Sequence, residues 1–116
     1  MKFKVLMALV QEDRTEKIIE VARREGATGC TVITSARGEG LNPPKTFFGL
    51  ELEGQRDVVL FLVEAHLSRH ILESIAAAGR FDEDVGTGIA FQLDVEDAVG
   101  LATQLPVIKR EIEDEI

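Results

Sequence analysis

The pattern of apolar and polar positions divides the chain into two similar halves. In the first half, residues 3–10 are almost all apolar and predict a buried strand, and residues 13–25 carry apolar side chains at helical spacing. Asp13 can cap this helix, because Glu16 follows at the spacing of a capping box. A glycine turn then leads to a second predicted strand at residues 30–35.

The second half repeats this order of elements. An apolar strand at 58–63 is followed by a helix at 67–78, a turn at 86–88 and a strand at 89–93. Two such strand–helix–strand halves predict an α+β, ferredoxin-like sandwich of the split βαβ (βαββαβ) type. Both helices of this fold cover one face of the sheet, so the other face should be polar. The strand at 58–63 is apolar at every position, and we therefore expect its second face to pack against copies of the same chain.

The segment between the halves predicts a long loop at about residues 36–56. Its first part, residues 37–45, is rich in glycine and proline and is expected to be mobile. In its second part, apolar and acidic residues alternate over 48–52, which predicts a strand that pairs with the strand at 58–63.

Length, charge and composition exclude several classes of function. A chain of 116 residues forms one domain, which we place at residues 1–103, followed by an acidic C-terminal tail at 104–116. The net charge of −8 and the lack of Trp and Tyr disfavour nucleic-acid binding. Neither a bilayer-spanning run nor a secretory signal is present, so we expect a cytoplasmic protein without direct membrane insertion. The single cysteine, Cys30, excludes an internal disulfide.

Three motifs, taken in order, resemble the PII family of nitrogen-regulatory signalling proteins. They are Gly26-Ala27-Thr28-Gly29-Cys30-Thr31-Val32, Gly38-Glu39-Gly40 and Gly86-Thr87-Gly88-Ile89-Ala90-Phe91. The resemblance covers residues 3–100 and implies a homotrimer that binds an adenine nucleotide, such as AMP, ADP or ATP, in clefts between subunits. It also implies that the long loop, called the T-loop in that family, docks on a membrane transporter or metabolic enzyme. Such a protein would be a non-enzymatic regulator.

The resemblance assigns residues to two surfaces. It implies a ligand site formed from both halves of the chain, with Thr31, Gly38, Gly40, Arg80, Gly86, Thr87 and Gly88. It implies a partner-binding loop with Arg37, Leu41, Lys45, Phe47 and Phe48. Two alternatives stay open: the glycine motif at 86–88 could be only the turn before the last strand, and one of the two Phe could pack beneath the loop.

The chain departs from the family pattern where the family contacts phosphate. Leu41 and Ile89 replace an arginine and a lysine, and the family's arginines near residues 100–103 are missing. An acidic run at 82–84 precedes the glycine motif, and Arg80 is the only cation near it in the sequence. We therefore expect ATP to bind weakly and AMP or adenosine to be preferred. The chain also lacks the tyrosine that classical members uridylylate.

Two alternative interpretations remain. His66 and His70 stand four residues apart on the second helix, a spacing that can hold a metal ion, although no third ligand is evident. This pair leaves open a metal-binding or metal-responsive trimer similar to the CutA group, which shares the fold. The other alternative is a trimer that binds no ligand and acts as a scaffold. No nucleophile and base stand out, so an enzyme is disfavoured.

Overall fold

The computed structural model of the protein describes residues 2–36, 46–47, 50–51 and 56–101. Its elements are β1 (Phe3–Gln11), α1 (Thr15–Arg24), β2 (Thr31–Ala36), β3 (Thr46–Phe47), β4 (Leu50–Glu51), β5 (Arg56–Glu64), α2 (Ala65–Gly79) and β6 (Gly88–Asp94). Four strands form an antiparallel sheet in the order β2-β5-β1-β6, and β3 pairs with β4 in a separate two-stranded sheet. This α+β arrangement, with both central strands preceding a helix, agrees with the predicted ferredoxin-like fold.

The hydrophobic core lies between one face of the sheet and the two helices. Every second residue of the two central strands points into it, and these residues are at most 2% exposed: Leu6, Ala8, Val10, Val59, Phe61 and Val63. Helix α1 contributes Ile18 and Ala22, and α2 contributes Ile71 and Ile75, all of them fully buried. Both helices therefore cover the same face of the sheet, as the sequence pattern predicted.

The opposite face of the sheet is also apolar, and we call it the open face. Its residues alternate with the core residues and none of them is buried: Phe3, Val5, Met7, Leu9, Ile33, Val58, Leu60, Leu62, Ile89, Phe91 and Leu93. Ile33 is 51% exposed and Leu93 is 47% exposed. A contiguous apolar surface of this kind marks an interaction site, because soluble proteins rarely leave such a patch in water.

The start of α1 differs from its prediction. The N-cap residue is Arg14, and no side chain caps the helix, so the predicted Asp13 cap is wrong. The reason is a turn in which the N–H of Arg14 donates to the carbonyl of Gln11 at 2.9 Å. Arg14 already has a helical backbone conformation, and the turn runs directly into the helix at Thr15.

The predicted strand at 48–52 also pairs differently. Its described part, β4, pairs with β3 and not with β5. Both edges of β5 are occupied by β1 and β2, so no edge remains for a third strand. The segment 37–45 and the C-terminal tail at 104–116 lie outside the described residues. Within the part of the chain that is described, no helix combines the length and apolar character needed to cross a bilayer.

Candidate functional site

Several of the predicted ligand-binding residues lie in or beside one loop, residues 80–87, which joins α2 to β6 and which we call the acidic loop. Helix α2 ends because Arg80 adopts a left-handed conformation, with φ of 57°. The N–H of Phe81 then donates to the carbonyl of Ala76 at 3.0 Å, and the Phe81 ring packs where a Cβ on Gly79 would lie. These contacts set the direction in which the acidic loop leaves the helix.

Thr87 holds the acidic loop in a closed turn. It is 4% exposed, and its hydroxyl lies 3.1 Å from the carbonyl oxygens of both Arg80 and Asp84, to which it can donate. The N–H of Asp84 donates to the carbonyl of Arg80 at 2.9 Å, and the carbonyl of Thr87 accepts from the N–H of Gln11 at 3.1 Å. The path of the loop is therefore set by these hydrogen bonds, which do not use the carboxylates of the loop.

Gly86 and Gly88 each have a structural reason to be glycine. Gly86 has a φ of 79°, a conformation that residues with a Cβ rarely adopt. A Cβ on Gly88 would lie 2.6 Å from the Phe81 ring and 2.9 Å from the carbonyl oxygen of Leu9. The turn into β6 accounts for both glycines, and their contact with a ligand stays a prediction.

Two arginines meet one carboxylate beside the acidic loop. The Nε of Arg80 donates to Oδ2 of Asp84 at 2.9 Å, and Nη2 of Arg14 lies 3.7 Å from the same oxygen. Arg14 also donates from Nη1 to the carbonyl of Gly79 at 2.9 Å, at the negative end of α2. The hydrogen bond to Asp84, together with the charges of Asp84 and Glu83, raises the pKa of Arg80 above its ordinary value.

Arg14 is the residue that the sequence analysis missed. It lies far from the acidic loop in the sequence, but it follows β1, and β1 pairs with β6 in antiparallel fashion. The end of β1 and the start of β6 therefore meet at the same end of the sheet. That pairing is the signal that would have identified Arg14 as a second cation beside Arg80.

The base of the long loop lies at this same end of the sheet. Ala36, the last residue of β2, pairs with Arg56, the first residue of β5, and Arg56 pairs with Gln11. Strands β5 and β6 flank β1, so they are two strand spacings apart, about 10 Å. Both ends of the segment 37–55 therefore join the sheet at the end that carries the acidic loop, with β5 two strand spacings and β2 three strand spacings from β6.

A buried polar pair holds the start of α1 against this end of the sheet. The hydroxyl of Thr15 donates to Oδ2 of Asp57 at 2.6 Å, and the two residues are 3% and 7% exposed. Asp57 follows Arg56, which is also buried. Because Thr15 is the first residue of α1, this hydrogen bond also fixes the backbone that carries Arg14.

The remaining predicted residues do not join the acidic loop within one chain. Thr31 pairs with Leu60 in the middle of β5, and both β5 and β1 separate β2 from β6. The other predicted ligand-binding and loop residues lie outside the described residues: Gly38, Gly40, Arg37, Leu41, Lys45 and Phe48. Phe47 belongs to β3, but its side chain is not among those described.

The two histidines contact different carboxylates. His66 contacts Glu64 through Nδ1, and the same carboxylate caps α2 by accepting from the N–H of His66 at 2.7 Å. The Nε2 of His70 lies 2.7 Å from Oε2 of Glu25, at the end of α1. Among the described residues, no three His, Cys, Asp or Glu side chains are grouped so that they could hold a metal ion. The contact of His70 with Glu25 joins α2 to the end of α1.

A cavity of about 440 Å³ lies at the other end of the sheet, away from the acidic loop. Its charged lining residues are two lysines and two acids: Lys2, Lys4, Asp94 and Glu96. Lys4 and Asp94 form an ion pair at 3.4 Å. The positive and negative charges of these four lining residues therefore balance.

Comparisons with known proteins give one matching family model and two solved structures of similar fold. The model of the family described as nitrogen regulatory protein P-II matches residues 3–104. A PII-like signaling protein from Thermus thermophilus is 22% identical, with a TM-score of 0.59, and the match covers 82% of this chain and 87% of that chain. CPII from Thiomonas intermedia, solved with ADP, AMP and acetate, is 17% identical, with a TM-score of 0.62 and coverage of 83% and 90%. No curated protein matches the sequence. At these identities the two solved structures establish the fold alone.

Proposed function

The chain belongs to the nitrogen regulatory protein P-II family, and from this premise we propose that it is a PII-like signal-transduction protein without enzymatic activity. It assembles as a homotrimer from domains formed by residues 1–103, and it binds an adenine nucleotide in clefts between subunits. It regulates a membrane transporter or a metabolic enzyme through the loop at 36–56. One geometric observation carries this proposal: the acidic loop and both ends of the segment 37–55 meet at the same end of the sheet.

The open face supports the homotrimer. Its apolar residues come from all four strands of the main sheet, and the helices lie on the other side. The occupant of this face must be apolar and must match the shape of a twisted sheet, and a second copy of the same face meets both conditions. Three copies packed around a common axis would remove the open face of every subunit from water.

The position of Thr31 supports a ligand site between subunits. Thr31 lies on β2 at one edge of the sheet, and the acidic loop leads into β6 at the other edge. In a closed ring, the β2 edge of one subunit faces the β6 edge of the next. Thr31 and the acidic loop, which are apart in one chain, would then line the same cleft.

The charges beside the cleft support a ligand that carries phosphate. Arg14 and Arg80 supply two guanidinium groups, which bind phosphate through several hydrogen bonds at once. The three acids at 82–84 outnumber these two cations, so each additional phosphate meets more repulsion. We therefore expect AMP to bind more tightly than ATP. The binding of ADP and AMP by CPII supports the choice of an adenine nucleotide.

The proposal is tested by light scattering and calorimetry on the full chain. The molar mass should be three times the 12.8 kDa of the chain, and AMP and ADP should release measurable heat on binding. Arg80→Ala should weaken ADP binding by about tenfold, since a charge-assisted hydrogen bond to phosphate is lost. Arg69→Ala is the matched control, because Arg69 is an exposed arginine on α2 that pairs with Glu73.

Two results would count against the proposed function. If the protein is a monomer at micromolar concentration, the proposed clefts between subunits do not exist. If it is a trimer that binds none of AMP, ADP and ATP at low salt, an adenine nucleotide is not its effector, and the scaffold alternative is favoured.

A further inference from the structure

We propose that Asp84 acts as an internal anion that occupies Arg14 and Arg80, and that the phosphate chain of a nucleoside di- or triphosphate takes its place. The inference rests on the proposed function and adds a step to it, namely an exchange of one anion for another at the same two arginines. It follows from the convergence of both guanidinium groups on a single carboxylate oxygen, Oδ2 of Asp84.

Arg14 has a second anchor that does not involve Asp84. Its Nη1 donates to the carbonyl of Gly79 at the end of α2, at 2.9 Å. Its backbone is held by the adjacent Thr15, whose hydroxyl is bonded to the buried Asp57. When the carboxylate leaves, this guanidinium therefore remains beside the acidic loop and can accept another anion.

The backbone of the acidic loop does not depend on the Asp84 carboxylate. The hydroxyl of Thr87 contacts the carbonyl oxygens of Arg80 and Asp84, and the N–H of Asp84 donates to the carbonyl of Arg80. These contacts use main-chain atoms of Asp84 and leave its carboxylate uninvolved. The side chain can therefore rotate away while the loop keeps its path.

The exposure of the three side chains favours exchange. The side chains of Arg14, Asp84 and Arg80 are 27%, 40% and 57% exposed. Ion pairs at this exposure contribute little to stability, because water screens their attraction and hydrates each charged group when the pair separates. A phosphate chain carries more charge and more acceptor oxygens than one carboxylate, so it competes well for two guanidinium groups. The exchange by itself favours a phosphate chain over a monophosphate, but Asp82 and Glu83 still repel each additional phosphate, so AMP remains the tighter ligand of the unmodified protein.

The exchange is tested by calorimetry at low salt with inorganic tripolyphosphate, ADP and AMP as the probes. Asp84→Asn should raise the affinity for tripolyphosphate by about tenfold, since the competing charge is gone. The matched control is Asp82→Asn, which removes the same charge from an exposed residue of the same loop. The control should change the affinity less than about threefold, because it removes long-range repulsion only.

Arg14→Gln in the Asp84→Asn background should reverse most of the gain, because one of the two guanidinium groups is lost. In the unmodified protein, adding tripolyphosphate should shift the Arg80 Nε–H resonance in a nitrogen–proton NMR spectrum. This second measurement needs no substitution, so it remains informative even if Asp84→Asn unfolds the chain. An unmoved resonance at saturating tripolyphosphate would overturn the exchange.

Three calorimetric results would also overturn it: no effect of Asp84→Asn, equal gains from Asp84→Asn and Asp82→Asn, or weaker binding in Asp84→Asn. The last would mean that Asp84 positions the arginines for the ligand. The proposed function fails separately, when neither the unmodified chain nor a variant binds AMP, ADP or ATP. If tripolyphosphate still follows the expected order in that case, the anion exchange stands and the nucleotide assignment falls.

Discussion

Leu60→Asp is the substitution that most directly tests the trimer. Leu60 lies on the open face, where it pairs with Met7 on one side and Thr31 on the other. Its chain neighbours Val59 and Phe61 point into the core and are fully buried. The substitution therefore places a carboxylate in the proposed subunit interface and leaves the core of the single subunit unchanged.

The expected effect follows from the burial that a trimer would provide. Removing a leucine side chain from an apolar interface costs about 1.5–3 kcal/mol, and the change occurs once in each subunit. The cost for the trimer is therefore roughly 4.5–9 kcal/mol, which lowers the assembly constant by about three to six orders of magnitude. The desolvation of three carboxylates near a common axis adds to this cost.

Light scattering after size-exclusion chromatography measures the result. Leu60→Asp should give a monomer at micromolar concentration, with a circular dichroism spectrum that still shows both helices and strands. Ala77→Asp is the control, because Ala77 is exposed on α2 in the layer that faces away from the open face. If Leu60→Asp keeps the mass of the unmodified protein, the open face is not the subunit interface and the reasoning is wrong.

Two further predictions concern the end of the sheet that carries the candidate site. Gly88→Ala should destabilise the fold by about 1–3 kcal/mol, because its methyl group would overlap the Phe81 ring and the main-chain oxygen of Leu9. Gly29→Ala, whose methyl group would meet nothing within 4 Å, should change the free energy of unfolding by less than about 1 kcal/mol. Equal urea midpoints for these two variants would contradict the packing argument. Thr15→Val should cost about 1.5–3 kcal/mol by leaving the carboxylate of Asp57 without its hydroxyl donor, whereas Thr15→Ser should retain most of that stability. Urea denaturation of the two variants measures this difference in stability. If Thr15→Val is as stable as Thr15→Ser, the hydrogen bond does not contribute to the stability of the fold.

Local sequence patterns were sufficient for the main elements. The alternation of period two and the helical period each report which residues are buried. The six elements of the two halves therefore agree with the structure to within two residues at every end. The same patterns predicted that the strand at β5 would be apolar on both faces, and the open face confirms it. The resemblance to the PII family, which rests on short glycine motifs, is confirmed by the match over residues 3–104.

Predictions of which residues a strand or a helix end contacts were less successful. The strand at 48–52 was assigned to β5, but β1 and β2 occupy both edges of β5. The cap at Asp13 was inferred from spacing, but a turn from Gln11 to Arg14 enters the helix without a side-chain cap. In both cases the local pattern predicted an element that exists. The pairing of the strand and the capping of the helix were decided by residues whose positions the local pattern does not encode.

The sequence by itself determined the elements, the two apolar faces of the sheet and the family, because each of these depends on residues that are close along the chain. The tertiary structure alone decided which charges meet. Arg14 reaches Asp84, the carboxylate that Arg80 also contacts, because the pairing of β1 with β6 brings the start of α1 beside the acidic loop. The pairing of β5 with β1 and β2 brings the base of the segment 37–55 to that same end of the sheet. Strand register is set by the packing of the whole sheet, so contacts that depend on it cannot be read from any short segment.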